Sequence, residues 1–508
     1  MLSVQEKPRI QRAGRREWLG LAVLMLPVLL ISVDNTVLSF AIPSLSRALA
    51  PSGTELLWIV DIYALVLAGL LVPMGALGDR IGRRKLLLVG SAGFGLVSAA
   101  AAFVPSAGAL IGARALLGLF GAMLMPATLS LIRNIFTVPS QRRIAIAVWA
   151  AGFSGGAALG PIVGGVLLEH FWWGSVFLLS VPVLIPLLVF APMLVPESRD
   201  PNPGPVDVWS LLLVMATMFP VVYGIKEIAV AGVGTQSLVP IAVGLVFGVL
   251  FVRRQLRRIH PMLDVRLFRN PTFSGSIGAN LVSVFSLVGF IFFLSQHLQL
   301  VLEKSPQEAG LIMLPGLVLT IIAGLAVVRL VRHIRPGYVV AGGLLLNAVG
   351  YTIILAAGAE DGIAGLMIAF MVLGLGVGAA ETISNDLILS SVPPTKAGAA
   401  SAISETAYEV GAVLGTAVLG SILTAGYRNG VSLPEGLSAA DAAAASETLG
   451  GAVEAAQRLP GDQAMALLES ARHAFDSGVG TTSLIGVVLM LAAAAGAVVT
   501  LRRASVEH

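Results

Sequence analysis

The sequence predicts an all-α polytopic membrane protein, and three observations lead to this fold class. Of the 508 residues, 56% are hydrophobic and 12% are charged, whereas soluble domains carry about 25% charged residues. Apolar runs of about 20 residues, long enough to cross a bilayer as helices, recur along the whole chain. Basic residues concentrate in alternate connecting segments, which is typical of cytoplasmic loops. This composition excludes a soluble enzyme and a disordered chain, and the lack of cysteines excludes a secreted disulfide scaffold.

Fourteen apolar segments are the predicted spans. The first run is too long for the apolar region of a cleaved signal peptide, so we expect it to remain as a signal anchor behind a basic tail. Most basic residues then fall on the side of the N-terminus, which predicts two cytoplasmic termini. Lys226 is one of the few basic residues that this topology places outside. The spans are 18–41, 57–78, 86–104, 108–132, 144–168, 173–195, 206–226, 238–253, 272–296, 307–330, 337–357, 363–388, 398–425 and 478–501.

The spans group into two six-helix bundles with an inserted pair between them. We predict a basic cytoplasmic tail (1–17), an N-terminal bundle (18–195), inserted helices 7 and 8 with a basic cytoplasmic loop (196–271), a C-terminal bundle (272–501) and a short cytoplasmic tail (502–508). A short pattern supports two related halves: Gly75, Arg80 and Arg83 after span 2 recur with the same spacing after span 10. Parallel halves of this kind are a transporter architecture.

The segment 426–477, within the C-terminal bundle, is the longest piece outside the predicted spans. It is rich in alanine and in acidic residues. Residues 438–457 and 462–474 have the composition of short amphipathic helices. We expect a helical hairpin packed on the outer face, with a flexible linker as the alternative.

The loop after span 2 interleaves glycines with charges. Glycines permit a tight turn and close helix packing, and an aspartate beside arginines can form an ion-pair relay that breaks when two halves separate. A plain cytoplasmic loop would need the arginines but not the glycines or the aspartate. The residues are Gly75, Asp79, Arg80, Gly82 and Arg83.

Span 5 carries small residues at four-residue spacing around a proline. Such residues let helix backbones approach closely, and a proline removes one helical hydrogen bond. A generic packing helix would explain the glycines, but not their combination with the proline at this spacing. The motif consists of Gly156, Gly160, Pro161, Gly164 and Gly165.

Three charged residues lie inside the first four spans. A carboxylate in the membrane is costly, so Asp34 in span 1 and Asp61 in span 2 are expected to face a cavity or a partner. Arg114 in span 4 cannot be deprotonated and must pair with a carboxylate or with carbonyl groups. We expect Asp34 or Asp61 as that partner, and protonation of the acid would then release the pair. Structural ion pairing or hydrogen bonding is the alternative role for all three.

The second half has its own membrane acids. Glu381 and Asp386 lie in span 12, and Glu405 and Glu409 lie one turn apart on one face of span 13, with Tyr408 beside them. Two acids that face one cavity share a proton readily and attract a cation. Asp386 lies near the membrane interface, where capping of its helix is the alternative role.

These motifs resemble the major facilitator superfamily, and specifically its fourteen-helix drug:proton antiporter family. The loop after span 2 is similar to the superfamily signature, and the span 5 glycines resemble the antiporter motif of its exporters. Asp34 with Thr36, Asp61 with Tyr63, Arg114 with Gly118 and Gly121, and the run Ser404–Gly415 resemble motifs of the fourteen-helix family. The resemblance covers essentially the whole chain.

The resemblance implies a major facilitator fold and proton-coupled efflux by alternating access. Its expected partners are cationic amphiphilic drugs (quaternary ammonium compounds, dyes, and in some relatives fluoroquinolones), protons and membrane lipids. It further implies no nucleic acid partner, a monomer, a multi-pass protein of the bacterial cytoplasmic membrane, and no cofactor, since the proton gradient supplies the energy. Relatives that carry dications use an acid in span 10, where this chain has only Glu308 at the outer edge. Transport of dications would therefore require Glu381, Glu405 or Glu409 to take the place of that acid.

Three other functions are alternatives to drug efflux. A membrane-embedded enzyme is disfavoured because the spans contain no metal-binding histidine motif and no nucleophile elbow, and the chain has no phosphate-binding loop for ATP. Export of an endogenous lipid or metabolite, with incidental drug transport, is the alternative. An uptake symporter is disfavoured by the span 5 motif.

Overall fold

The computed structural model describes residues 12–199, 207–259, 261–357, 362–393 and 396–502. Within these ranges the chain forms helices and connecting turns only. Most of the predicted tail 1–17, the stretch 200–206 of the inserted segment and the tail from 503 onward lie outside the described residues.

Sixteen helices, which we number in chain order, build the described part of the fold, together with a 3-10 helix at Val265–Arg269 and a π-helical turn at His297–Val301. Helices α1–α6 are Arg15–Leu49, Gly53–Ile81, Arg83–Ala101, Ala107–Ile135, Pro139–His170 and Ser175–Leu194. The inserted pair, α7 and α8, is Val208–Ala231 and Thr235–Arg257. Helices α9–α12 are Pro271–Gln296, Pro306–Leu330, Pro336–Ala357 and Gly362–Ser390. Helix α13 comprises Ala397–Leu414, a π-helical turn Gly415–Gly420 and Ser421–Gly430; α14, α15 and α16 are Ala439–Glu447, Leu449–Ala456 and Gly461–Leu501.

The helices confirm the predicted all-α membrane fold. Thirteen helices in the described part of the chain are long and apolar enough to cross a membrane, and they coincide with thirteen predicted spans. The remaining predicted span, 144–168, coincides with the 32-residue helix α5. Serine side chains fix several helix starts: Ser52, Ser106 and Ser305 each accept a hydrogen bond from a backbone N–H in the first turn of α2, α4 and α10.

Some predicted spans are shorter than the helices that contain them. Helix α2 continues to Ile81, so Gly75, Asp79 and Arg80 are helical, and of the predicted loop only Gly82 separates α2 from α3. Helix α16 begins at Gly461 rather than 478 and has 41 residues. Apolar content alone does not mark these ends, because polar residues continue a helix beyond its apolar part.

The helices pack in two groups with a pair between them. Helices α1–α6 pack on one another, and so do α9–α13 with α16. The inserted helices α7 and α8 pack mainly on each other, and α7 also contacts α2 and α13. Most of the surface of the inserted pair is exposed apolar side chains, as expected for helices that face lipid.

The two halves are held together at one end of the molecule. We call the end at which α1 begins the near end and the end at which it finishes the far end. At the far end, the Ser295 hydroxyl donates to the Ser39 carbonyl oxygen at 2.9 Å, and the Gln307 N–H donates to the Glu169 carboxylate at 3.3 Å. At the near end, the described residues form no hydrogen bond or ion pair between the halves. The interface is therefore closed at the far end.

The segment 426–477 is largely helical and packs on the far end. The Tyr427 hydroxyl donates to the carbonyl oxygens of Ala445 and Thr448, which holds α14 and α15 against α13. The Glu447 carboxylate accepts a hydrogen bond from the Gly53 N–H at 3.1 Å. A segment of the C-terminal half thus also contacts the start of α2 in the N-terminal half.

A polar cluster joins the near ends of α7 and α8. Asp207 caps α7, and its carboxylate accepts hydrogen bonds from Ser210 and from Arg254 at 2.9 Å. Arg258 lies 3.2 Å from the same carboxylate. Burial acts to raise the pKa of Asp207, but the hydrogen bonds from Arg254 and Ser210 and the positive charge outweigh it and lower that pKa to about 2.

Candidate functional site

A buried ion pair lies in the interior of the N-terminal half. The Arg114 Nη1 atom is 2.7 Å from the Asp34 Oδ2 atom, and both side chains are buried. Arg114 also donates from Nε to the Ile59 carbonyl oxygen at 3.2 Å, and its guanidinium carbon lies 4.4 Å from the centre of the Tyr63 ring. Of the two partners expected for Arg114, the structure selects Asp34. The pair connects α1, α2 and α4.

The acids of the C-terminal half lie in α12 and α13. Glu409 is buried, and Glu381 and Glu405 are partly buried. Within the described residues none of these three carboxylates forms a hydrogen bond or an ion pair. Tyr408 lies close enough to Glu381 and Glu409 to interact with their charges, so α12 and α13 bring these four residues together. Carboxylates inside a helix bundle attract protons and cations.

The two groups of charged residues face each other across the interface between the halves. Helix α13 packs on α2, and Glu409 lies close enough to Tyr63 for its charge to act on the Tyr63 hydroxyl. Tyr63 is the ring that stacks on Arg114. Glu405 interacts in the same way with Arg133 at the near end of α4. Tyr63 belongs to a sequence motif, but nothing in the sequence pattern places Tyr63 or Arg133 opposite the α13 acids.

Asp386 does not belong to this group. Its side chain is exposed, and helix α12 continues beyond it to Ser390. The alternative of a helix cap at Asp386 is therefore wrong, because a cap residue would stand at the end of the helix.

Asp61 has a different partner, which sequence analysis missed. Its Oδ2 atom lies 2.9 Å from the Lys226 Nζ atom, and both side chains are almost completely buried. The prediction that Lys226 lies outside the membrane spans was wrong, because α7 continues to Ala231. A lysine at the end of an apolar run is typical of a loop. A buried charge needs a partner. The signal in the sequence was therefore Asp61, a membrane acid that is left without a partner once Arg114 pairs with Asp34.

The signature motif after span 2 is organised by an ion pair and a turn. Arg83 lies 2.7 Å from Asp79, one helical turn earlier. Gly82 has φ +112°, and a side chain there would meet the Glu197 carboxylate at 2.8 Å. Glu197 accepts hydrogen bonds from the backbone N–H groups of Arg84 and Lys85 at the start of α3. Because of the positive φ and the nearby carboxylate, only glycine suits position 82. Arg80 is exposed.

The span 5 motif packs α5 on both halves. Gly156, Gly160 and Gly164 face α1, where a Cβ atom would overlap Ser32, Thr36 and Val37. A Cβ at Gly165 would lie 2.7 Å from the Gln307 Cα in α10, and Gly310 of α10 packs on the backbone of Pro161. The motif thus forms part of the far-end contact between the halves.

Among the described residues, no group of three or more histidine, aspartate or glutamate side chains could hold a metal ion. The chemistry that this site offers is the binding and release of protons and cations by carboxylates, with one arginine and several aromatic rings beside them.

Comparisons with known proteins place this geometry in a family. The family model for the Major Facilitator Superfamily matches residues 24–416. Multidrug efflux pump LfrA of Mycolicibacterium smegmatis is 57% identical over 500 residues, which cover 98% of this chain and 99% of LfrA. Methyl viologen resistance protein SmvA of Salmonella typhimurium is 40% identical over 94% of this chain and 97% of SmvA.

Solved structures give the same fold. A bacterial homologue of the human lysosomal transporter Spinster, in an inward-facing and occupied conformation, aligns with a TM-score of 0.66 at 19% identity, over 96% of this chain and 98% of that chain. The fold, the family match and the relatives agree. The chain belongs to the Major Facilitator Superfamily.

Proposed function

We propose that this protein is a proton-coupled multidrug efflux antiporter that exports lipophilic cations from the bacterial cytoplasm. The observation that carries the proposal is the placement of the buried Asp34–Arg114 pair opposite Glu405 and Glu409 at the interface of the halves. A negative cavity concentrates cations, and protonation of the same carboxylates removes the attraction.

The closed far end and the positive-inside pattern support a direction of transport. If the near end is cytoplasmic, as the basic loops predict, this conformation receives substrate from the cytoplasm. Protons from outside would then compete with the cation after the halves rock open at the far end. Both the drug and the protons would use the interface carboxylates in turn, which is the basis of antiport.

In the N-terminal half, proton coupling would act through Arg114. A neutral Asp34 attracts the guanidinium less, so protonation frees Arg114 to turn toward the acids of α13. In the C-terminal half, Glu405 and Glu409 are the proposed cation ligands, with Tyr408 and Glu381 beside them. The signature residues Asp79 and Arg83 and the span 5 glycines would control the near-end and far-end contacts.

The names of the relatives support the substrate class. LfrA is named a multidrug efflux pump and SmvA a methyl viologen resistance protein. Methyl viologen carries two quaternary pyridinium nitrogens, which have no N–H groups and need charge rather than hydrogen-bond acceptors. We further propose that the protein acts as a monomer among membrane lipids, in the bacterial cytoplasmic membrane, and that the proton gradient is its energy source.

Ethidium efflux from energised cells that express the protein tests this proposal. We expect efflux that stops when the proton gradient is collapsed and that falls to background in Asp34→Asn. Gradient-dependent efflux that is unchanged in Asp34→Asn would move proton coupling to Glu405, Glu409 or Asp61. No efflux by the wild type would contradict the substrate class and favour an exporter of an endogenous lipid or metabolite.

A further inference from the structure

The Lys226 ammonium occupies a site made of a carboxylate and two aromatic rings. It lies 2.9 Å from the Asp61 Oδ2 atom and 3.9 Å from the centre of the Trp58 ring. The Phe219 ring stacks with Trp58, with the ring centres 6.4 Å apart and the planes 16° apart. Asp61 and Trp58 belong to α2, whereas Lys226 and Phe219 belong to α7.

This site supplies charge and ring faces but few hydrogen-bond acceptors. Lys226 is 1% exposed. Neither its Nζ atom nor the Asp61 Oδ2 atom makes a hydrogen bond of normal geometry with the described residues, despite the close ion pair. A primary ammonium has three N–H donors to satisfy, so this environment serves it poorly. A quaternary cation has no such donors and loses nothing here, and a carboxylate beside an indole face is the environment that such cations prefer.

The site lies where the two halves meet beside the inserted pair. Gly420 of α13 packs on Leu57, one turn before Asp61 in α2. Thr416, one turn earlier in α13, is close enough to Asp61 to interact with it. Separation of α2 from α13 at the far end would therefore open this seam and expose the Asp61 carboxylate to a cation that is leaving the protein.

We propose that Trp58, Asp61 and Phe219 form a second cation site on the exit side, and that Lys226 is a tethered cation that competes with the exported one for it. This inference rests on the proposed export of lipophilic cations. A departing quaternary ammonium or phosphonium group binds the carboxylate and the indole face while Lys226 is withdrawn. The return of Lys226 then displaces the exported cation, and no bond other than this ion pair is exchanged.

Binding of tritiated tetraphenylphosphonium to the purified full-length protein in nanodiscs tests the competition. Lys226→Met removes the tethered cation and keeps an unbranched side chain of similar length. We expect it to bind the probe about fivefold more tightly than the wild type, a change of the size typical of one cation–π or ion-pair contact. Lys226→Arg keeps the charge and should show no gain. Asp61→Asn combined with Lys226→Met should lose the gain.

A second measurement uses the unaltered chain, in case Lys226→Met leaves Asp61 too poorly compensated to fold. In protein labelled with ¹³C at lysine Cε, the Lys226 resonance should be shifted by the ring current of Trp58, and its disappearance in Lys226→Arg assigns it. Saturating tetraphenylphosphonium should move this resonance toward the position of the exposed lysines.

The outcomes separate this inference from the proposed function. If a folded Lys226→Met protein binds the probe as the wild type does, or if saturating probe leaves the Lys226 resonance in place, the pair only fastens α7 to α2. The inference that Lys226 competes with the exported cation would then be wrong, whereas the proposed efflux function would be unaffected. A wild-type protein that binds no lipophilic cation would contradict the proposed function itself.

Discussion

Arg114 donates from Nη1 to Asp34 at 2.7 Å and from Nε to the Ile59 carbonyl oxygen at 3.2 Å. The two hydrogen bonds use different nitrogens of one planar group, and the Tyr63 ring covers its face. This relationship between α4, α1 and α2 depends on the shape of guanidinium as well as on its charge.

We therefore expect Arg114→Lys to impair transport although it keeps the positive charge. A lysine cannot bind Asp34 and the Ile59 carbonyl oxygen in the same geometry and cannot stack on Tyr63. Gradient-dependent ethidium efflux should fall about tenfold or more, the effect of losing one charged hydrogen bond. Arg269→Lys, at an exposed arginine, is the matched control and should keep wild-type efflux. Normal efflux in Arg114→Lys would show that charge alone suffices.

Glu381 should matter more for dications than for monocations. It is a partly buried carboxylate without a partner in the described residues, and it lies near Tyr408, which also lies near Glu409. Glu381→Gln removes one of the negative charges that a second positive charge would need. We expect resistance of expressing cells to methyl viologen to fall by about tenfold, while ethidium efflux falls by about threefold or less.

The exposed Asp386, five residues along the same helix, provides the comparison. Asp386→Asn should leave resistance to both compounds unchanged. An equal loss of both activities in Glu381→Gln would assign Glu381 to the common transport step rather than to the second charge.

Gly165→Ala should weaken the far-end contact between the halves. The added methyl group would lie 2.7 Å from the Gln307 Cα and 2.9 Å from the Pro306 oxygen, which are backbone atoms that cannot move aside separately. We expect a cost of about 1–3 kcal/mol to the closed far end. Cysteines placed at the far ends of α5 and α10 should cross-link more slowly in this variant. Gly155→Ala in the same helix meets nothing within 4 Å and should cross-link like the parent.

Asp207→Asn should destabilise the inserted pair in a pH-dependent manner. Folding lowers the pKa of Asp207 to about 2 from 3.8. The ionised carboxylate therefore stabilises the fold when the pH is above the pKa of the unfolded protein. This contribution disappears as the pH falls through the pKa of the folded protein. We expect the variant to lose about 1–2 kcal/mol at neutral pH. Thermal melting in detergent should show the wild type and the variant converging between about pH 4 and pH 2.

Glu435→Gln, at an exposed acid in the segment 426–477, is the control substitution and should melt like the wild type at neutral pH. A constant difference between Asp207→Asn and the wild type across this range would mean that the carboxylate acts through packing rather than through its charge.

Much of this fold could be predicted from the sequence because the membrane imposes simple rules. Each span needs about 20 apolar residues, and basic residues favour one side. Asp34 and Arg114 could be singled out because charges are rare inside spans. The choice between Asp34 and Asp61 as the partner of Arg114 depends on how α1, α2 and α4 pack, which no local pattern contains.

Lys226 shows why the remainder required the structure. Its place at the end of an apolar run suits both a loop and a buried helix turn, and only the contact with Asp61 distinguishes them. The α13 acids are similar: spacing shows that Glu405 and Glu409 share a face, but that this face lies opposite Tyr63 and Arg133 is a property of the assembled halves.

The length of α16 has a practical consequence for imaging. Its 41 residues extend about 60 Å, roughly twice the thickness of the hydrocarbon core. The first turns therefore lie outside the lipid, beside α15, and are continuous with the last membrane helix. A nanobody raised against residues 461–470 would act as a fiducial marker for cryo-electron microscopy and would report the tilt of the C-terminal half in each conformation.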